Sequence, residues 1–301
     1  MNLILLRKIS NHIFASICLI GFIGNILAII VFSRKKYAKT IFSTYFRVLS
    51  IFDTLTILTR IDYFILVNQS QPLRLISNIT CKFSLYFVYF MPASSTWILV
   101  LISLDRFVSI CKPSWKYLIR NNPKYQLLAC LCVVMYNFVF YIPFFVFQNI
   151  NNTTYPSIDG NRTIDCINDT ETIIDIVDTF NATLIPFIIM LSCTIFILRT
   201  IFKSRNNANT TSNKIRDIRF AITSIGLNLS FLILTFPQNI FMIFFMIFDL
   251  EYFLKYFIFS LITCLAYTNF SIIFYITLLV NSTFRKEFYA FILDLKKNIS
   301  R

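Results

Sequence analysis

Charge is scarce in this sequence. Asp, Glu, Lys and Arg make up 14% of its 301 residues, against roughly 25% in an average soluble domain. Glycine is scarcer still, with four residues, and histidine occurs once, as His12. Each shortage excludes something. A chain this poor in charge and 57% hydrophobic cannot hide its apolar surface from water as a soluble globule, and it is too apolar to be disordered. A single histidine leaves no His-based metal site and no Ser-His-Asp triad. There is no glycine-rich phosphate loop and no Cys-x-x-Cys zinc pair, so no enzyme activity and no cofactor are expected. Acidic residues number 14 against 28 basic ones, a formal charge of +14. In a soluble chain this excess would point to nucleic acid. In an apolar chain it must first be divided between the two sides of a membrane, and no nucleic-acid partner is expected.

What is present is length of apolar run. A helix needs about 20 apolar residues to cross the hydrocarbon core. Seven stretches fit, at about 9–33, 42–67, 78–111, 125–148, 174–203, 215–248 and 254–279. They use most of residues 1–301, which therefore read as one domain: an all-α membrane protein, a seven-transmembrane helix bundle. The second stretch is the least apolar because it holds Asp53, Arg60 and Asp62. Ionisable groups at membrane depth are costly and mark function. Beyond the seventh stretch, Phe284, Phe288, Phe291, Ile292 and Leu295 recur at helical spacing among Lys and Arg. They predict a short amphipathic cytoplasmic helix, about 282–297, lying on the inner leaflet. The segment Met1–Leu6 is too short for a cleavable signal peptide, so the first span is expected to direct insertion.

The charges set an orientation. The loops after the first, third and fifth spans, Arg47 and the C-terminal tail hold 21 of the 28 basic residues. The positive-inside rule puts them in the cytoplasm and the N-terminus outside. The outer segment between Asn149 and Phe180 carries Asp159, Asp165, Asp169, Glu171, Asp175 and Asp178 with only Arg162 opposed to them. It also carries sequons at Asn151, Asn152, Asn161 and Asn168, consistent with a lumenal loop; Asn228 fits the same pattern by chance inside a span. Of eight cysteines, only Cys81 and Cys166 face an oxidising compartment, which predicts one disulfide tying the acidic loop to the third span. The alternative is two free thiols.

Arg106 lies 25 residues after Cys81, about 37 Å of helix and so one membrane crossing. The sequence there is Asp105-Arg106-Phe107, with Pro113 seven residues after the Arg. At this point the chain resembles the rhodopsin-like (class A) G-protein-coupled receptors, whose third span ends in Asp-Arg-Tyr and a following Pro. The likeness covers the whole chain: Gly24-Asn25 in the first span, Leu49 through Asp53 in the second, Pro186 in the fifth, Phe231 and Pro237 in the sixth, and Phe284-Arg285 opening the tail helix. The chain departs from the family at Thr235, where a Trp is usual, at Thr194, where a Tyr is usual, and in the seventh span. Ile273-Phe274-Tyr275-Ile276-Thr277 stands there in place of Asn-Pro-x-x-Tyr.

The resemblance implies a plasma-membrane receptor that couples an extracellular ligand to a heterotrimeric G protein, with membrane lipid around it. It implies that Asp105, Arg106 and Phe107 form the inner switch. Asp217 faces Arg106 in this reading; the alternatives are a solvated Asp217 or one paired with Arg216 or Arg219. Pro113 and Trp115 shape the loop that meets the G protein, or anchor the interface. Asp53, Ser95 and Asn269 are the expected holders of an allosteric sodium ion; the alternative is a protonated Asp53 in a hydrated polar cluster. Arg60, Tyr63, Val88, Tyr89, Gln238 and Tyr267 are the expected ligand-pocket residues. Val88 stands where aminergic receptors carry Asp, and Tyr267 where opsins carry the retinal Lys, so neither chemistry is expected. Acidic outer loops attract cations, which favours a basic neuropeptide, amidated ones included; alternatively the acids only keep a glycosylated loop soluble. The overall pattern resembles invertebrate FMRFamide-like peptide receptors. A decoy receptor that binds without signalling is the main alternative, motivated by the altered seventh span. A transporter or channel would need a continuous polar path that the last four spans do not supply.

Overall fold

The computed structural model describes residues 3–35, 42–65, 77–111, 123–147, 149–156, 162–167, 171–205, 212–247 and 252–299. The first span is the helix Leu3–Ser33, the second Phe42–Ile65 and the third Asn78–Cys111. The fourth runs through Pro123–Phe140 and Ile142–Phe147. The fifth runs through Glu171–Asp178, a π-helical segment Thr179–Leu184, and Ile185–Arg205. The sixth is Ser212–Leu234 followed by Phe236–Ile247, and the seventh is Tyr252–Ser271 followed by Ile273–Val280. A tail helix, Ser282–Ile299, completes the chain. Five of these helices are long and apolar enough to cross a membrane, and the bent seventh pair makes a sixth. The second span falls short in hydropathy because it is rich in hydroxyls and carries Arg47, Asp53 and Arg60. It is still 24 residues long, about 36 Å, and it packs between the first and third spans.

Prolines explain most of the breaks, since each removes a donor and crowds the preceding turn. The sixth span breaks at Thr235, two residues before Pro237, and the fourth at Tyr141, two before Pro143. Ahead of Pro186 the ladder slips by one residue: the N–H of Ile185 donates to the carbonyl of Phe180. The seventh span bends by 54° at Ile272 without any proline. Polar side chains take its place there. Asn25 Nδ2 of the first span donates to the Phe270 carbonyl at 2.9 Å. Ser271 Oγ shares its one hydrogen between the carbonyls of Tyr267 (3.1 Å) and Ile17 (3.2 Å). Such back-bonding by a hydroxyl bends helices.

The inward faces carry the contacts and the outward faces carry lipid-compatible side chains. Leu127, Leu128, Leu131, Met135, Phe138 and Val139 of the fourth span are all exposed. With lipid outside, close packing rather than removal from water holds such helices together. Phe284 is 0% exposed. It packs tilted against Phe32 at 4.9 Å and edge-on against Phe274 at 5.7 Å, fastening the tail helix to the first and seventh spans. Asn281 starts that helix by accepting the N–H groups of Thr283 (3.1 Å) and Phe284 (3.2 Å), an N-cap. Arg34 Nη2 reaches Asp294 at 2.7 Å, and its Nε lies 3.7 Å from the buried Glu287.

One element departs from an all-α chain. Asn149–Pro156 (β1) and Arg162–Ile167 (β2) form an antiparallel hairpin, with Asn151 opposite Asp165 and Ile150 opposite Cys166. The Thr, Ile and Tyr residues of this segment suit a strand pair although its Asn residues do not, and the hairpin packs on the third span.

Candidate functional site

A cavity of about 270 Å³ opens between the second, third, fifth, sixth and seventh spans, at the end of the third span away from Arg106. Five of the six expected pocket residues line it: Arg60, Val88, Tyr89, Gln238 and Tyr267. The Tyr63 side chain falls outside the described residues. Arg60 is fixed from the seventh span. Its Nε donates to Tyr267 Oη at 2.7 Å, and its guanidinium lies 5.5 Å from that ring's centre. Leu85, Pro92, Met242, Phe259 and Phe270 supply apolar wall.

The sequence counts Asp175 and Asp178 with the acidic outer segment, at the start of the fifth stretch; the structure places both in the cavity wall. They stand three residues apart in the helix Glu171–Asp178 and so share a face. Asp175 Oδ1 accepts from Tyr89 at 3.0 Å, and Asp178 Oδ1 accepts from Tyr141 at 2.6 Å. Behind them lies a buried amide network. Asn181 donates to Asn137 (3.1 Å) and Tyr141 (3.2 Å), and its side-chain oxygen accepts from Trp97 (3.2 Å) and Tyr136 (3.0 Å). Thr235, where the family usually has an indole, also lines the cavity. The smaller side chain leaves room at the pocket floor.

At the other end of the third span Arg106 is 1% exposed. Its Nη2 meets Asp105 Oδ2 at 2.7 Å, and its guanidinium lies 5.8 Å from the ring centre of Phe220 in the sixth span. Phe107 packs on Phe196 of the fifth span at 5.7 Å. One turn above, Ser103 donates to Asn228 Oδ1 at 2.9 Å, and Asn228 Nδ2 donates to Thr194 at 2.9 Å. Asn228, a chance sequon by sequence, thus joins the third, sixth and fifth spans. Thr194 contributes although it replaces a Tyr. Pro113, Trp115 and the Asp217 side chain fall outside the described residues.

Between the two ends, Asp53 is 3% exposed and accepts from Ser95 Oγ. Asn269 Oδ1 accepts instead from Ser230 at 3.3 Å. Asn25 Oδ1 and the Ser50 hydroxyl are buried without a partner. Ser50 shares a helical face with Asp53. Carboxylate, hydroxyl and amide oxygens are the donor types that hard cations take. Cys81 is disulfide-bonded, whereas Cys18, Cys130, Cys132 and Cys264 are free thiols. The side chain of Cys166 falls outside the described residues, but its strand packs on the third span. Of the sequons, Asn151 and Asn152 lie in β1, with their side chains outside the described set; Asn161 and Asn168 fall outside it altogether.

Comparison with known proteins agrees with this arrangement. The N-arachidonyl glycine receptor of Rattus norvegicus is 25% identical over 72% of this chain and 65% of its own length. The C-C chemokine receptor type 6 of Homo sapiens is 26% identical over 75% and 59%, and the cysteinyl leukotriene receptor 1 of Cavia porcellus 24% over 69% and 61%. The chain thus spans less than two thirds of the length of these relatives. They carry the rhodopsin-like family and not the narrower likeness to invertebrate neuropeptide receptors. Residues 24–273 match the family model described as 7 transmembrane receptor (rhodopsin family). This multi-pass membrane protein belongs to the rhodopsin family of seven-transmembrane receptors.

Proposed function

We propose that this chain is a plasma-membrane receptor that binds a basic peptide from outside and activates a heterotrimeric G protein inside. One observation carries the reading. The third span has a cavity with two carboxylates beside its outer half and a buried Asp105–Arg106 pair at its inner end. A ligand that prefers one arrangement of the spans shifts the population of both ends together. The basic loops then face the cytoplasm, with Pro113 and Trp115 in the coupling loop and Asp217 set toward Arg106. Asn151, Asn152, Asn161 and Asn168 face the glycosylating side. Asp53 and Ser95, with Asn269 nearby in the family's pattern, would hold a sodium ion that favours the closed state. The bend kept at Ile272 supports signalling over a decoy role.

The test is a cell-based G-protein dissociation screen against a library of basic peptides. A response in the parent chain that disappears in Arg106→Ala, at equal surface level, is the expected result. No response, together with unchanged basal signalling in Arg106→Ala, sinks the coupling.

The same orientation pairs Cys81 with Cys166. Cys81→Ser is expected to cost about 2–4 kcal/mol of stability by releasing the hairpin and to lower surface expression. A thiol reagent that labels Cys166 in the parent protein removes the pairing.

A further inference from the structure

The cavity has charges of opposite sign on opposite walls. Arg60 comes from the second span, which packs on the first, third and seventh. Asp175 and Asp178 come from the outer end of the fifth, which packs on the third and sixth. The partners of the two carboxylates are tyrosine hydroxyls at 3.0 and 2.6 Å. Neither forms an ion pair among the described residues, and a carboxylate beside apolar wall is costly until a cation meets it. The Arg60 guanidinium is held in place by Tyr267. A fork of this kind recognises carboxylates in a paired, planar geometry. Thr235, 8% exposed, lines the same cavity, and its hydroxyl has no hydrogen-bond partner. Buried hydroxyls in that condition call for a further polar group. The volume, about 270 Å³, lies just under the usual range of roughly 300–1,000 Å³ for small-ligand pockets. It fits the end of a peptide, not its length.

We infer that the cavity receives the C-terminal basic residue of a peptide that ends in a free carboxylate. The side-chain cation lies against Asp175 and Asp178, the terminal carboxylate lies against Arg60, and Thr235 serves a polar atom between them. An amidated terminus offers Arg60 no charge. This rests on the reading of the cavity as the ligand site, and it narrows the ligand from any basic peptide to one with both charges at its end.

The experiment uses purified full-length receptor and two matched tripeptide libraries ending in arginine, one as free acids and one as amides. Binding is read as thermal stabilisation across a concentration series. The parent protein is expected to bind the acids about 10- to 100-fold more tightly than the amides, the range for a hydrogen bond to a charged group. Arg60→Gln should erase that preference, and Arg60→Lys should recover part of it, which separates lost charge from misfolding. Asp178→Asn should weaken both libraries. Equal binding of acids and amides, a preference that survives Arg60→Gln, or no binding of either library overturns the assignment. Acids that bind as described but release no G protein in cells leave it standing and sink the coupling reading instead.

Discussion

Asn in place of Asp105 is expected to raise ligand-independent G-protein activation by roughly 10- to 100-fold. Arg106 is buried, and the Asp105 carboxylate 2.7 Å away opposes its charge. An amide of the same shape keeps one hydrogen bond but not the charge. A hydrogen bond between charged partners contributes about 1.5–3 kcal/mol. In the structure the guanidinium is packed toward Phe220 of the sixth span, the arrangement taken as closed in the proposed function. On the proposed coupling, opening exposes it to water or to the G protein instead. Weakening the closed state by that amount moves the two-state population by the same factor. Basal activation, normalised to surface level, measures it. A basal signal at or below the parent's, at matched expression, contradicts the switch.

The second large effect concerns packing. A Cβ added at Gly21 would fall 2.1 Å from Ser271 Oγ, 2.5 Å from Ser271 Cβ and 2.8 Å from Ile57 Cδ1. The first contact is with a short side chain that has little freedom to move aside. Gly21→Ala therefore forces the first span off the seventh, or breaks the Ser271 bonds to Ile17 and Tyr267. Overpacking of this kind costs about 1–3 kcal/mol, or a few to about 10 °C in Tm for a chain of this size. Adding Ser271→Gly removes the two nearest clashing atoms, leaving Ile57 Cδ1, and is expected to restore part of the loss. Tm of the purified single and double variants tests this. Additive losses in the double variant exclude the contact.

Much of the bundle was readable from the order of residues. Run length located the spans, and apolar spacing located the tail helix that Phe284 anchors. What escaped was polar chemistry whose partner sits on another helix. Asp175 and Asp178 counted with the charge of the outer segment because the stretch around them is acidic. Their three-residue spacing, with Ile173, Ile174, Ile176 and Val177 between and around them, was the available sign of a helical face. Asn228 looked like noise because a single polar residue in a span says nothing about Ser103 and Thr194. The seventh span has no proline near Ile272, yet it bends there by 54°. The bend is supplied from elsewhere, by Asn25 of the first span and by Ser271, and no local motif encodes that. The hairpin of β1 and β2 escaped because hydropathy looks for long runs and its strands are eight and six residues.

The break at Ile272 has a mechanical consequence. It divides the seventh span into an outer piece of 20 residues and an inner piece of eight. Torque about the outer axis cannot pass straight through a 54° corner. Like a universal joint, the corner turns part of any twist of the outer piece into a sideways swing of the inner one. The inner piece is fastened to the tail helix through Phe274 and Phe284 and through Arg285, which donates to the Leu279 carbonyl at 2.8 Å. Arg34 carries the linkage on to the end of the first span. Tyr267 belongs to the outer piece and bonds Arg60 in the cavity wall. A twist applied at that tyrosine would therefore reach the tail helix as a displacement, lever-fashion, without any proline to hinge it.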